Sequence, residues 1–349
     1  MESQSLLHFR ITGIKDETPV AKTYRLQEID GNEVRFLPGQ FLTVIIETEK
    51  QELRRSYSIL SLPGEPLQIT VKKVTNGLIS RFILQRWQVG MIITSLPPAG
   101  RFTLRAQHGY KRDIFCFAAG SGIVPILPQI RYLLDAEPQS VIHLIYSNHN
   151  ETDSLFLHEI DGLTAVFEML KVHLIFSEPL VRKHQRGRLS NVTVEPLIGQ
   201  LLTYRKKDAV FLLCGPFTYM RMLSFTLGLM HFPKDNIRKE NFIPEIMRSG
   251  HVSKPVFPDR WLTVEHDGKQ QKVMVKSGET ILKAVLDSGI NPPYSCDGGV
   301  CGTCAAKCKK GQVYMTINEV LTDAELAGGW VLTCTGYPSS EDTVIEFYR

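Results

Sequence analysis

The stretch CDGGVCGTC, residues 296–304, decides the fold of the C-terminal part of this sequence. Its three cysteines follow the spacing C-x4-C-x2-C, and a fourth comes much later, in the segment LTCTGYP. Two irons bridged by sulfide need four thiolates, and this spacing is that of the plant-type [2Fe–2S] cluster. The intervening glycines leave room for the sulfides and let backbone N–H groups face the sulfurs. The predicted cluster ligands are Cys296, Cys301, Cys304 and Cys334.

Two other interpretations of these cysteines stay open at this point. A structural zinc site usually combines two close CxxC or CxxH units, and only Cys301 and Cys304 form such a pair. A lone redox CxxC would leave Cys296 and Cys334 without a role. Cys308 lies outside the cluster spacing, so we interpret it as a bystander.

The sequence before the cysteines has the pattern of a small separate domain. Residues 244–259 carry three prolines and a Ser-Gly pair, which is typical of a linker. A hairpin with its turn at Asp267-Gly268 follows, and then a short helix, Glu279–Asp287, capped by Ser277. We therefore predict a linker over residues 244–259 and a domain over residues 260–349.

The rest of the chain changes character once. Up to residue 107, short alternating runs separated by Gly, Pro and charged turns predict an antiparallel β-barrel with one helix, Leu78–Trp87. From residue 108 to residue 243, apolar strands alternate with helix-length segments, which predicts an α/β domain around a parallel sheet. The predicted domains are thus residues 1–107, 108–243 and 260–349, with the linker between the last two.

Composition sets the broad class. The 349 residues are 43% hydrophobic and 22% charged, an ordinary globular balance, and the net charge of +4 is too weak to predict nucleic-acid binding. No apolar run is long enough to span a bilayer, and the N-terminus lacks a signal peptide pattern. We expect a cytoplasmic protein without nucleic-acid or membrane partners, whose seven cysteines serve metal ligation or stay free thiols.

A motif for a flavin lies in the barrel region. The run Arg55-Ser56-Tyr57-Ser58 falls in a predicted strand, where alternation separates Arg55 and Tyr57 from Ser58. A flavin needs a cation for its phosphate, an aromatic wall for its ring and a hydrogen-bond donor near N5, and these three residues offer all three. Gly77-Leu78-Ile79-Ser80 opens a predicted helix, whose N–H groups can hold a pyrophosphate. A surface strand with a solvated arginine is the alternative.

Two glycine-containing turns follow strands of the predicted parallel sheet. Ala119-Gly120-Ser121-Gly122 lies between a strand and a helix, where backbone amides can approach a pyrophosphate. Cys214-Gly215-Pro216 also follows an apolar strand, at the edge where open α/β sheets bind ligands. The alternatives are an ordinary strand–helix turn for the first and a buried small apolar residue for Cys214.

The type of dinucleotide depends on residues further along the α/β region. A 2′-phosphate requires a cation and a hydroxyl, which Arg188 and Ser177 can provide, whereas a free 2′-hydroxyl requires a carboxylate such as Glu178. The sequence favours NADPH over NADH by a small margin, and plain surface charge is the alternative.

Taken together, these motifs resemble those of the ferredoxin–NADP reductase superfamily. The flavin-domain resemblance rests on Pro38-Gly39-Gln40-Phe41, the Arg-Ser-Tyr-Ser run and Pro98-Ala99-Gly100-Arg101-Phe102, and the nicotinamide-domain resemblance on AGSGIVP and CGPFTYM. The segment from Trp261 onward is similar to a plant-type ferredoxin, which implies a β-grasp fold.

The resemblance implies a role for each matched residue. In that family the arginine contacts the flavin phosphate, the tyrosine lies on the isoalloxazine, the serine approaches N5 and the CGP cysteine lies near nicotinamide and flavin. An aromatic residue also covers part of the ring, although Phe242 could equally be a core residue. FAD is favoured over FMN by the GxxS stretch. The implied residues are Arg55, Tyr57, Ser58, Gly77, Ser80, Cys214 and Phe242.

The domain order implies a function. It is similar to the reductase components of phenylacetyl-CoA epoxygenase and related multicomponent oxygenases, so electrons are expected to pass from NAD(P)H through FAD and the cluster, one at a time, to an oxygenase. A ring-hydroxylating oxygenase or a desaturase could be the acceptor instead. The alternative from another class is a non-enzymatic protein with a zinc-stabilised C-terminal module.

Overall fold

The computed structural model describes residues 6–47, 52–74, 77–182, 184, 186–242 and 255–348. They form an N-terminal unit that ends at Glu240 and a C-terminal unit that begins at Asn241. Most of the predicted linker, residues 244–259, lies outside the described residues. Among the described residues, no helix has both the length and the apolar character needed to cross a bilayer.

The first half of the N-terminal unit is a six-stranded antiparallel barrel with strand order β4-β3-β6-β1-β2-β5. Alternation creates its core: Leu7, Phe9 and Ile11 of β1 are buried, and the residues between them are less so. A bridge between Ile59 and Ile69 closes the barrel. This confirms the predicted barrel. Its elements are β1 Leu7–Thr18, β2 Ala21–Glu28, β3 Phe41–Glu47, β4 Glu52–Ser58, β5 Leu67–Lys72, α1 Leu78–Arg86 and β6 Ile92–Ala99.

The second half is a five-stranded parallel sheet with order β11-β10-β7-β8-β9, as predicted. Helices cover both faces, so β7 is buried along nearly its whole length. Helices α2 and α3 pack on one face and α4 and α5 on the other. The elements are β7 Asp113–Ala119, α2 Ile123–Ala136, β8 Val141–Asn148, α3 Leu157–Val166, β9 Leu170–Phe176, α4 Asn191–Leu201, β10 Val210–Cys214, α5 Phe217–Leu229 and β11 Ile237–Glu240.

The strand order of this sheet creates a switch point. From β7, the chain adds β8 and β9 on one side and later β10 and β11 on the other. The crevice at the carboxyl ends of β7 and β10 is therefore where a ligand is expected in an open α/β sheet. The two glycine-containing turns follow these two strands.

Barrel and sheet share a continuous core. Leu60 and Phe102 belong to the same buried cluster as Ile126 of α2 and Leu144 of β8. At Gly39, a Cβ atom would lie 2.0 Å from the Phe102 carbonyl oxygen, so the barrel turn packs directly against the following segment. The predicted boundary at 107/108 falls inside this unit and stays a prediction.

The C-terminal unit is built on a five-stranded mixed sheet with order β13-β12-β18-β14-β16, plus a two-stranded pair of β15 and β17. The hairpin turn lies where it was predicted, and Asp267 and Gly268 both have positive φ, 51° and 71°. The elements are β12 Arg260–His266, β13 Lys269–Val275, α6 Ile281–Asp287, β14 Ala305–Lys310, β15 Val313–Met315, α7 Asp323–Ala327, β16 Trp330–Leu332, β17 Gly336–Pro338 and β18 Val344–Phe347.

The predicted cap of α6 was wrong. The helix begins at Ile281, and Thr280 caps it by accepting a hydrogen bond from the Lys283 N–H. Ser277 lies in the preceding turn, where its N–H donates to Asp259 Oδ1 at 2.8 Å. Gly278, with φ of 74°, separates the two residues, so the chain turns once more before the helix starts.

Candidate active site

A cleft of about 730 Å³ opens at the switch point of the parallel sheet. It collects four of the residues predicted to bind the dinucleotide from separate parts of the sequence. Two further lining atoms, Ser147 Oγ and Asn148 Nδ2, are buried and make no hydrogen bond of standard geometry within the described chain, so they are available to a ligand. The four predicted residues are Gly120, Ser177, Arg188 and Pro216.

The two glycine-containing turns pack against each other behind this cleft. A Cβ atom on Gly122 would lie 2.0 Å from the Cys214 carbonyl oxygen and 3.0 Å from the Gly215 nitrogen. One on Gly215 would lie 2.9 Å from the Ala119 Cβ. Only glycine permits this approach, so Gly122 and Gly215 position the cleft walls rather than line the cleft.

A buried carboxyl group lies beside Cys214 and was not predicted. Glu240 ends β11 and pairs in register with Cys214 at the end of β10. Burial raises the pKa of Glu240 to about 8. Burial, and then the nearby Glu240, raise the pKa of Cys214 well above its usual range. The site thus holds a neutral carboxyl group and a neutral thiol side by side at neutral pH.

Replacing Glu240 with Gln is expected to stabilise the N-terminal unit increasingly as the pH rises from 4.5 to 8. In this window the unfolded carboxyl group ionises while the folded one stays protonated, so native stability falls by about 1.4 kcal/mol per pH unit. The glutamine variant lacks this loss. Melting temperatures at pH 5 and pH 8, followed by the release of flavin fluorescence, measure the difference. The exposed Glu195→Gln is the control, and an equal shift at both pH values contradicts the expectation.

The barrel contributes a second residue that was not predicted, Lys72 at the end of β5. It lines the cleft, and its Nζ would lie 3.8 Å from a Cβ atom on Gly120. Burial lowers the pKa of Lys72, while the Asp153 carboxylate opposes this shift. A cation above the glycine turn suits a pyrophosphate. In the sequence Lys72 looks like any strand lysine, so only the fold reveals it.

The predicted flavin residues lie on β4 as alternation required. Arg55 is exposed, Tyr57 is half-buried and Ser58, at the strand end, is buried. Burial raises the pKa of Tyr57, so its phenol stays protonated. The Arg55 guanidinium donates to the Arg54 carbonyl oxygen at 2.6 Å. A cation, a ring and a hydroxyl on one short strand are the donor set that a flavin requires.

Gly77 and Ser80 shape the start of α1. No side-chain hydrogen bond caps this helix at Gly77, so its first N–H groups are available for a phosphate. Ser80 Oγ accepts a hydrogen bond from the Val74 N–H at 3.1 Å, and a Cβ atom on Gly77 would lie 2.9 Å from the same oxygen. Ser80 therefore fixes the loop before the helix. Phe242, 41% exposed, belongs to the C-terminal unit, and its role at the flavin stays a prediction.

The four predicted cluster cysteines come together in the C-terminal unit. Cys304 and Cys334 are buried, with their sulfurs 3.2 Å apart, while Cys296 and Cys301 are half-buried. Hydrogen bonds to Cys301 and then Cys334 lower the pKa of Cys296, which places its thiol beside both. Cys308 lies on β14, where its thiol faces the Lys310 carbonyl oxygen at 3.3 Å.

The loop around these thiols carries donors suited to a sulfur-rich cluster. The Gly299 N–H donates to Cys334 Sγ at 3.3 Å, and Cys301 Sγ lies 3.3 Å from Thr303 Oγ1. Gly299 has φ of 75°, and a Cβ atom there would lie 2.7 Å from the Ile317 carbonyl oxygen. Four converging thiols with N–H and O–H groups beside them fit a [2Fe–2S] cluster.

Three family models match the chain in the order of these sites. An oxidoreductase FAD-binding domain matches residues 10–104, an oxidoreductase NAD-binding domain matches residues 117–224, and a 2Fe-2S iron-sulfur cluster binding domain matches residues 264–339. The last match favours the cluster over the zinc alternative.

A component of the 1,2-phenylacetyl-CoA epoxidase of Escherichia coli (strain K12) is 34% identical over 321 residues, which cover 90% of this chain and 89% of that protein. The chain belongs to the ferredoxin–NADP reductase superfamily. The ferredoxin reductase component of 3-ketosteroid-9-alpha-monooxygenase from Mycobacterium tuberculosis (strain ATCC 25618 / H37Rv) is 28% identical to this reductase over 359 residues, covering 98% and 96% of the two chains.

The reductase also has the fold of a solved relative. Phthalate dioxygenase reductase, described as a modular structure for electron transfer from pyridine nucleotides to [2Fe-2S], superposes with a TM-score of 0.60 over 98% of both chains at 21% identity. The reductase is therefore an NAD(P)H-dependent flavin and iron–sulfur oxidoreductase. Its FAD, its [2Fe–2S] cluster and its use of a nicotinamide dinucleotide agree with the sequence-based predictions.

Proposed function

We propose that the reductase supplies single electrons to the oxygenase component of a multicomponent monooxygenase, with a phenylacetyl-CoA epoxidase as the favoured acceptor. The observation that carries this proposal is the presence of a dinucleotide cleft and four converging thiols in one chain. The E. coli relative bears the name of an epoxidase component, and the mycobacterial one that of a monooxygenase component. A ring-hydroxylating oxygenase or a desaturase is the alternative acceptor.

The residues have distinct roles in this proposal. Arg55 binds the flavin phosphate, Tyr57 packs on the ring, Ser58 donates a hydrogen bond near N5, and α1 holds the pyrophosphate behind Gly77. Bound FAD takes two electrons as hydride and releases them singly, which matches a one-electron cluster. The proposed cluster ligands are Cys296, Cys301, Cys304 and Cys334.

The dinucleotide site excludes charge from its centre. Gly120 and Lys72 bind the pyrophosphate, and Pro216 borders the nicotinamide end of the cleft. Because the Cys214 thiol and the Glu240 carboxyl group are both neutral, they provide a polar but uncharged wall beside the reacting ring. Such a wall does not oppose the movement of a hydride.

The proposed location is the cytoplasm. Seven free cysteines, four of them assigned to the cluster, suit a compartment that keeps thiols reduced. The proposed three-domain division, with boundaries near residues 107 and 243, accommodates the three family matches.

An anaerobic titration tests the proposal. The purified protein is expected to show flavin bands with a broad iron–sulfur absorption, and a nicotinamide dinucleotide should bleach both. Candidate oxygenase components, an epoxidase, a ring-hydroxylating oxygenase and a desaturase, are then added in turn to the reduced protein. Fastest reoxidation by the epoxidase component supports the favoured acceptor. If neither NADPH nor NADH bleaches the flavin, the proposed function is wrong.

A further inference from the structure

Three segments meet at the end of the cleft away from Cys214. Ser177 follows β9, His149 follows β8, and Arg188 lies on the segment that returns beside β9. The backbone holds them in place, because the Ser177 N–H donates to the Asn148 carbonyl oxygen at 3.1 Å. All three side chains line the cleft, and within the described chain Arg188 has no ion-pair partner.

His149 connects Ser177 with the acidic residue that follows it. His149 Nδ1 lies 3.1 Å from Ser177 Oγ, and His149 Nε2 lies 3.5 Å from Glu178 Oε2. The Glu178 N–H also donates to the His149 carbonyl oxygen at 2.8 Å. Glu178 does not line the cleft. Its carboxylate is therefore directed to the imidazole, away from the place where it would repel a phosphate or accept a ribose hydroxyl.

The remaining charges near this end add to the same balance. Arg186 Nε donates to the Ser177 carbonyl oxygen at 2.9 Å, which brings a second guanidinium to the loop. Asp153 lines the cleft but interacts with Lys72. An unpaired guanidinium and an oriented hydroxyl in the cleft, with the carboxylate paired outside it, match a dianionic 2′-phosphate.

We infer that the reductase uses NADPH rather than NADH and that His149 is a positioning residue for this choice. Arg188 and Ser177 contact the 2′-phosphate, while His149 holds the Glu178 carboxylate out of the cleft and orients the Ser177 hydroxyl. The inference rests on the proposed role of the cleft as the dinucleotide site. It resolves the conflict in the sequence, where Ser177 and Arg188 favour a phosphate and Glu178 opposes it.

The ratio of kcat/KM for NADPH to kcat/KM for NADH tests this inference. The wild-type ratio is expected to exceed one. His149→Ala releases the carboxylate and is expected to lower the ratio about tenfold, and His149→Ala/Glu178→Gln is expected to restore most of it, because no charge is then released. Arg188→Ala is expected to lower the ratio at least as far. The control is Arg182→Ala, an exposed arginine of the same loop outside the cleft, which should leave the ratio unchanged.

Direct binding separates specificity from turnover. Calorimetry with 2′-phospho-AMP and AMP should show tighter binding of the former to the holoenzyme and loss of that difference in His149→Ala. The inference is overturned if the wild type prefers NADH, if His149→Ala lowers both dinucleotides equally, or if Glu178→Gln fails to rescue it. In each of these cases the flavin is still reduced, so the proposed function survives; it fails only when neither dinucleotide reduces the flavin.

Discussion

Cys334→Ser is expected to remove the iron–sulfur absorption and to abolish electron transfer to a protein acceptor, while NADPH-dependent reduction of ferricyanide continues. Cys334 is 4% exposed, its sulfur lies 3.2 Å from that of Cys304, and it accepts a hydrogen bond from the Gly299 N–H. Loss of this thiolate leaves one iron with an incomplete ligand set. Ferricyanide can take electrons from the flavin directly, so its reduction does not need the cluster. Visible and electron paramagnetic resonance spectra measure the cluster.

Cys308→Ser is the matched control, because it removes a thiol from the same unit. Cys308 is half-buried on β14, and its thiol faces backbone carbonyl oxygens. Its replacement should leave the cluster spectrum and the transfer to the acceptor protein unchanged. A normal cluster in Cys334→Ser, or its loss in Cys308→Ser, would show that the ligand assignment is wrong.

Gly122→Ala is expected to slow flavin reduction by about a hundredfold or more with either dinucleotide. The added Cβ atom would lie 2.0 Å from the Cys214 carbonyl oxygen and 2.5 Å from its carbon, which are backbone atoms that cannot rotate away. Gly122 has φ of −62°, so backbone strain does not contribute and the effect is a steric separation of the two turns. A misplacement of about 1 Å can cost two orders of magnitude in rate. Anaerobic stopped-flow absorbance measures the rate of flavin bleaching.

Gly162→Ala provides the comparison, because it places the same methyl group inside α3 with no atom within 4 Å. It should keep the wild-type rate and stabilise the helix by up to about 1 kcal/mol. The FAD content and the cluster spectrum show whether Gly122→Ala is still folded. A folded Gly122→Ala protein with wild-type flavin reduction would contradict the close packing of the two turns.

Spacing and alternation were sufficient to predict the elements that depend on local sequence. The strands before both glycine-containing turns were predicted because buried parallel strands are continuous apolar runs. The hairpin at Asp267-Gly268 was predicted because two residues with positive φ make a two-residue turn. Strand β2 was missed: its neighbours Thr23 and Tyr24 are both buried, and an irregular register with β1 breaks the alternation.

The parts of the site that were missed depend on tertiary placement. Glu240 ends the strand Ile-Arg-Lys-Glu, whose sequence looks solvated, and only its register with Cys214 buries the carboxyl group. Lys72 comes from the barrel and meets Gly120 only because the two halves of the N-terminal unit share a core. His149 has no motif around it, and its contacts with Ser177 and Glu178 form only where β8 and β9 end side by side.

The edge strand β11 determines where an independent diaphorase fragment can be cut from this polypeptide. A fragment that stops at residue 224, where the NAD-binding match ends, would terminate inside α5 and lack Ile237–Glu240. It would bare the N–H and C=O groups along one side of β10, and such an open sheet edge promotes aggregation. A soluble fragment that still oxidises the dinucleotide has to extend through Glu240.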